Sequence, residues 1–270
     1  MAKKKENANQ SYSQSLRVEL RKWSILFTFP EEEAVMDKSL MLDPADYVGV
    51  TFWIISAAMV AATYFFYVER DRAVGKWKTS LTVAAMVTGI AAIHYFYMRE
   101  VWVGTGESPI VFRYVDWLLT VPLQIVEFYL ILAAVAAVAA GLFWRLMIAS
   151  LVMLIAGYLG EVGGADGDML WIWFIIGLAG WIYILYEIFA GEASKINASE
   201  GTNASKTAFN ALKWIVTIGW AIYPLGYVWG YAGGGDAAAL NIIYNLADFI
   251  NKIAFGVVIW VAATSPESNK

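Results

Sequence analysis

The stretch Ala237–Thr264 reads AAALNIIYNLADFINKIAFGVVIWVAAT, and its only charged side chains are Asp248 and Lys252. It is long enough to cross a bilayer as a helix, which takes about 20 apolar residues. A lysine near the centre of such a helix costs ~2.5–3.5 kcal/mol on insertion scales, so an intramembrane lysine points to function. Asp248 lies one helical turn before it, on the same face. A buried amine suits covalent chemistry with a carbonyl compound, because desolvation favours the neutral, nucleophilic form. The plainer role for the pair is an ion pair that neutralises the lysine and ties two helices together.

The rest of the chain agrees with a membrane setting. Of its 270 residues 60% are hydrophobic and only 16% charged, too apolar for an ordinary soluble domain. The aromatic content of 16%, with 13 Trp, suits an aromatic-lined interior. The absence of Cys excludes disulfides, thiol catalysis and Cys-based metal sites, and one His excludes multi-histidine sites. No metal site is expected. A net charge of −4 does not suggest a nucleic-acid partner.

Seven apolar segments can be traced: Val48–Val68, Thr79–Met98, Tyr114–Trp144, Leu146–Gly160, Leu170–Tyr186, Trp214–Tyr231 and Ala237–Thr264. The third merges a helix with the following turn and is expected to end near Ala140–Gly141. The predicted fold is an all-α membrane protein, a bundle of seven transmembrane helices spanning 47–264. A charged extension, 1–46, precedes it and a tail, 265–270, follows. Arg70, Arg72, Lys76 and Lys78 lie in the first loop, Arg145 in the third, and Lys195, Lys206 and Lys213 in the fifth. Basic residues mark the cytoplasmic side, so the N-terminus is expected outside and the C-terminus in the cytoplasm. Residues 1–47 carry seven basic and eight acidic side chains. Leu16, Leu20, Trp23 and Phe27 there make one short apolar stripe: an interfacial helix, a docking element or an unstructured tail.

The third segment, RYVDWLLTVPLQIVEF, holds Arg113, Asp116, Thr120, Gln124 and Glu127 at spacings of three and four. On a helix these form one polar stripe. From Asp116 to Glu127 it rises ~16 Å, about half the hydrocarbon thickness. Glu127, with no charged neighbour on the stripe within a turn, is expected to hold its proton at rest. Asp116, near Arg113 and open to an amine from the last helix, is expected to stay ionised. Two acids kept in different protonation states can accept and give protons in sequence. An inter-helix polar clamp is the alternative, although a clamp needs one or two groups rather than five. In the sixth segment Trp220, Tyr223 and Pro224 form W-x-x-Y-P. Trp117 and Trp220 are placed to sandwich a flat conjugated ligand, and Pro224 to hinge the helix.

Together these motifs resemble the microbial (type 1) rhodopsins, and within them the proteorhodopsins. RYVDWLLTVPLQIVEFYLIL and YNLADFINK match the family's third and seventh helices; VERDRAVGKWKTSLT and GWAIYPLGY match it too. The likeness covers about residues 43–263. It breaks in the N-terminal segment, where the family usually carries a cleavable signal peptide.

The resemblance implies all-trans retinal bound at Lys252 as a protonated Schiff base. It implies Asp116 as proton acceptor and counterion, Asp248 as second counterion and Glu127 as cytoplasmic donor. Asp116, Thr120 and Glu127 match the signature of outward proton pumps. His94, in AAIHYFYM, matches a histidine that contacts the acceptor; without the resemblance it reads as an ordinary core histidine. With Trp53 it is implied to lie near a contact between protomers of a homo-oligomeric ring of five or six. Gln124 matches the spectral-tuning position and resembles the blue-absorbing class. Trp117, Trp220, Tyr223 and Pro224 match retinal-pocket residues, and Tyr244 and Asn251 lie on the pocket helix. Bulky Trp173 and Phe174 argue against an open slot for an accessory carotenoid.

The expected activity is therefore light-driven outward proton pumping with blue-shifted absorption, in the inner (plasma) membrane as a multi-pass protein. The expected partners are retinal, protons and the lipid bilayer. The chain is expected to be a transporter, not an enzyme. The rivals are a sensory photoreceptor using the same pocket and a non-retinal secondary transporter with a Lys–Asp site.

Overall fold

The computed structural model describes residues 41–162, 167–232 and 234–268. The stripe from Leu16 to Phe27 lies outside the described residues. One compact unit begins at Leu42; of the unit before it, only Met41 is described.

From Leu42 onward the described residues form helices: α1 (Tyr47–Glu69), a 3-10 turn (Arg70–Arg72), α2 (Gly75–Thr105), α3 (Ile110–Ala133), α4 (Ala140–Val162), α5 (Gly167–Phe189), α6 (Glu192–Glu200), α7 (Asn203–Trp214), a π turn (Ile215–Gly219), α8 (Trp220–Ala232) and α9 (Ala237–Ala263). Among them are seven spans long and apolar enough to cross a membrane, with α7, the π turn and α8 joined in the sixth. Ile93, Ile218 and Leu225 are exposed on the outside of the bundle, where lipid rather than water suits them.

The ends are set by local chemistry. The Asp46 carboxylate caps α1 by accepting from the Gly49 N–H. It also accepts from Trp102 Nε1 at 3.0 Å, tying the start of α1 to the end of α2. Gly106, at φ +72°, closes α2 in the left-handed conformation that glycine adopts without strain. Thr202 caps α7 and Asp236 caps α9.

Two boundaries differ from the sequence reading. α3 ends at Ala133, not near Ala140–Gly141, which instead open α4. The run Val135–Ala139 holds no breaker, so hydropathy alone does not reveal the turn. The Lys76 ammonium donates to Ala133 O, placing a cation at the carbonyl end of the helix. The sixth span starts at Asn203, well before Trp214, because α7 is amphipathic rather than apolar. It buries Ala208, Phe209 and Leu212 and leaves its polar face outside.

α3 and α9 carry the polar interior. Arg113, Asp116, Thr120, Gln124 and Glu127 are all buried on one face of α3. Asn241, Asn245, Asp248, Asn251 and Lys252 are all buried on α9. α4 and α5 pack closely through glycines: a Cβ on Gly180 would lie 2.7 Å from Ala149 O and 3.0 Å from Met153 N.

Candidate functional site

The two polar faces meet at Lys252. Its Nζ lies 2.7 Å from Asp116 Oδ2 on α3 and 2.7 Å from Asp248 Oδ2 on its own helix. The lysine is 3% exposed and the carboxylates 0% and 1%, so the three charges depend on one another. Breaking one partner of such a set leaves a buried charge uncompensated.

Asp248 is the more tightly held acid. It accepts from Tyr95 at 2.8 Å, from Tyr223 at 2.5 Å and from Trp117 Nε1 at 3.2 Å. Asp116 is freer. Its Oδ1 is buried and has no hydrogen-bond partner among the described residues. His94 Nδ1 stands 3.7 Å from that oxygen while bonding Ile90 O at 2.9 Å. Thr120 Oγ1 donates to Asp116 O at 3.0 Å. Of the two acids beside Lys252, Asp116 is thus the one with an unused proton-accepting position.

Arg113 links this centre to one end of the bundle. Its Nη1 donates to Tyr95 OH at 3.3 Å, and its Nη2 to Asn241 Oδ1 and Asn245 Oδ1 at 2.9 Å each. Asn241 continues to Ser108, and Asn245 to Thr51.

Glu127 lies toward the other end of the same stripe. It is fully buried, and neither oxygen has a hydrogen-bond partner among the described residues. Ser80 Oγ of α2 is likewise unpartnered.

From Lys252 and Asp248 a partly open cleft runs between α3, α4, α5, α8 and α9. Trp117, Trp181, Trp220, Tyr223, Pro224, Tyr244 and Phe174 wall it, with Gln124 and Asn251 beside the lysine. Gln124 Nε2 donates to Asn251 O at 3.2 Å. This is an apolar, aromatic slot with one amine, paired to two carboxylates, at its head.

Of the site residues read from the sequence on α3, α8 and α9, Trp117, Gln124, Trp220, Tyr223, Pro224, Tyr244, Asp248, Asn251 and Lys252 line the cleft, and Asp116 meets it at Lys252; Glu127 does not line it. His94 reaches it at the Asp116 side. Trp53 does not: it is 47% exposed on α1 and stacks edge-on against Phe96 at 5.7 Å. Phe174 lines the cleft, while the Cβ of Trp173 packs against Gly160. Sequence reading missed Tyr95, Asn241 and Asn245. The two asparagines continue the Asp248–Lys252 spacing backward along α9, so the same stripe logic applied there would have found them. Tyr95 carried no such signal. The Tyr114–Glu161 hydrogen bond of 3.0 Å, at the cleft's edge, was also unforeseen.

Comparison with known proteins adds the lineage. Residues 46–265 match the family described as Bacteriorhodopsin-like protein. The chain is 57% identical over 231 residues to a blue-light absorbing proteorhodopsin of Gamma-proteobacterium Hot 75m4, covering 84% of this chain and 90% of that protein. It is 56% identical over 230 residues to a green-light absorbing proteorhodopsin of Gamma-proteobacterium EBAC31A08, covering 84% and 91%. The crystal structure of blue light-absorbing proteorhodopsin from Med12 superposes with a TM-score of 0.70 at 58% identity, over 80% of this chain and 98% of that one. Xanthorhodopsin, described as a light-driven ion pump with dual chromophore, gives 0.73 at 27% identity, over 84% and 96%. The chain belongs to the bacteriorhodopsin-like family, and within it to the proteorhodopsins.

Proposed function

We propose that the chain is a light-driven proton pump that moves protons outward across the plasma membrane, with all-trans retinal held covalently through Lys252 Nζ. The observation that carries this reading is the placement of Lys252 Nζ 2.7 Å from the half-satisfied Asp116, at the head of an aromatic cleft. The fit to the chromophore rests on that cleft, which is apolar and walled by aromatic side chains, and on the unpartnered Asp116 Oδ1. When bound, retinal supplies the absorption of light and the change of shape that alters the acidity and direction of the proton on Nζ.

The chain's own groups do the rest. Trp117, Trp220, Tyr223 and Pro224 confine the ligand and exclude water. Asp116 and Asp248 hold the positive charge on Nζ in the dark. Asp116 takes the Nζ proton, since Asp248 already accepts three hydrogen bonds from side chains other than Lys252. Arg113, anchored by Asn241 and Asn245, responds to the loss of charge on Asp116. Glu127 then gives its proton toward Nζ and is refilled from its own end of the bundle. Direction follows from placement: the acceptor and the donor lie on opposite sides of one switching nitrogen. The lysines and arginines of the odd loops support a cytoplasmic location for the donor's end. Gln124, beside Lys252, is the basis for assigning blue-shifted absorption. The chain thus changes no substrate covalently.

The test is illumination of retinal-supplied cells with an external pH electrode. Acidification that a protonophore abolishes is expected. A coloured protein that gives no pH change would indicate a photosensor, and a protein that stays colourless with retinal would indicate a different transporter.

A further inference from the structure

Arg113 stands one turn before Asp116 on α3. It is 2% exposed, yet among the described residues its hydrogen bonds go to neutral oxygens: Tyr95 OH, Asn241 Oδ1 and Asn245 Oδ1. Its guanidinium carbon lies 5.6 Å from the ring centre of Phe52, 5.7 Å from that of Tyr244 and 6.0 Å from that of Tyr95. Aromatic faces attract a cation without neutralising it. A guanidinium with carboxylates nearby ordinarily forms short, charge-assisted pairs with them. That Arg113 bonds amides instead calls for a cause.

The cause is the way the two amides of α9 are turned. Asn241 Nδ2 donates to Ala237 O at 2.9 Å, and a backbone carbonyl can only accept. Asn245 Nδ2 donates to Thr51 Oγ1 of α1 at 3.0 Å, while Thr51 spends its own proton on Val48 O. Both amide nitrogens are thus committed elsewhere, and both oxygens are left facing Arg113 Nη2. The Tyr95 phenol gives its proton to Asp248 and leaves its oxygen for Nη1. Ser108, in the turn between α2 and α3, supports Asn241 from outside at 3.2 Å.

We propose that Asn241 and Asn245 are positioning residues that hold the Arg113 guanidinium back from Asp116 and Asp248, and so keep Asp116 ready to take a proton. An opposite charge within ~4–6 Å of a carboxylate favours its ionised form by about 1–3 pH units. Were Arg113 to bond Asp116, the acid would keep its charge against two cations and resist the proton from Nζ. With Arg113 clamped by the amides, Lys252 is the cation that bonds Asp116, at 2.7 Å. One proton passing from Nζ to Asp116 then cancels both charges of that pair. The inference rests on the reading of Asp116 as the acceptor, but the clamp acts in the dark protein and can be tested there.

The experiment titrates the full, retinal-loaded chain in the dark and follows the colour change that marks protonation of Asp116. Asn241→Leu and Asn245→Leu keep the rough shape of the side chain and remove the acceptor, freeing Arg113 to turn to the carboxylates. The transition should move to lower pH by about one unit in each. In an Arg113→Gln background the same substitutions should have no effect, because the charge they release is gone. Thr63→Val, which breaks a bond from α1 to Thr88 of α2, is the control and should leave the transition in place. The other titratable groups around Arg113 and Asp116 are His94 and Tyr95 on α2, Glu161 on α4, Tyr223 on α8, and Tyr244, Asp248 and Lys252 on α9. They are the same in every variant, so their charges cancel in the comparison.

No shift, a shift to higher pH, or a shift that persists with Arg113→Gln would overturn the clamp. Should the leucine variants fail to fold, Thr51→Val decides. It removes only the outer support of Asn245 and should move the transition the same way by a smaller amount; a transition that stays put would overturn the clamp as well. Infrared titration of the Asp116 carboxyl, identified by its loss in Asp116→Asn, makes the same comparison without retinal. A parent chain that stays colourless, or that colours but moves no protons in light, sinks the pump reading. The order of the infrared transitions still decides whether the clamp exists.

Discussion

Asp116 and Asp248 flank the same ammonium at equal distance, yet their surroundings assign them different work. Asp248 is fixed by two phenols and an indole; Asp116 keeps Oδ1 unpartnered. Asp116→Asn should retain colour, shift absorption to longer wavelength and reduce light-driven pH changes at least a hundredfold. Removing the negative charge beside Nζ destabilises the ground state, in which the positive charge is most localised there. Acid should produce the same red shift in the parent by protonating Asp116, and a spectral pH titration of parent and variant checks both. Glu127→Gln should leave proton loss from Nζ nearly unchanged and slow its return by more than tenfold, read by flash absorption; equal effects on both would remove Glu127 from the donor role. Gln124→Leu should red-shift the absorption without halting pumping, because the amide sits beside the lysine but belongs to no proton step.

At the scale of elements, the seam between α4 and α5 is set by backbone contact. Gly180→Ala brings a methyl against Ala149 O and Met153 N. Backbone cannot yield as a flexible side chain can, so the variant should lose ~1–3 kcal/mol of stability, read by thermal unfolding in detergent. The cleft borders this seam, and colour should be lost at a lower temperature in step with it. Legibility in the sequence also divided by element. α3 and α9 were readable because intramembrane polar residues are costly, and regular spacing places them on one face. The end of α3 was hidden by a run of alanine and valine suited equally to helix and turn. The π turn was hidden as well: IVTIG has no composition that separates a five-residue step from a four-residue one, and its partners come from α5 and α9. Pro224 is the visible irregularity in this span, and it lies beyond the π turn, inside α8.

For the whole molecule, the sequence carried the bundle and the two halves of the site, but not how Arg113 is anchored. Its acceptors are amides and a phenol from helices far apart in the chain. Trp53 is exposed on α1 and packs against Phe96 of α2, and the ring of protomers that the family resemblance implies would cover such a residue. Trp53→Ala should therefore shift the population toward smaller assemblies in native mass spectrometry or cross-linking, leaving the monomer's fold intact. The stripe on α3 has a further, electrical consequence. Nζ and Asp116 are 2.7 Å apart, so the first proton step crosses almost none of the transmembrane field. Glu127 stands eleven residues further along the helix, ~16 Å by helical rise, or about half of the hydrocarbon thickness. Refilling Nζ from there moves charge through roughly half the voltage drop, ~1.2 kcal/mol for each 100 mV. The membrane potential the pump builds thus opposes that return step far more than the first transfer, and a well-charged membrane slows its own charging.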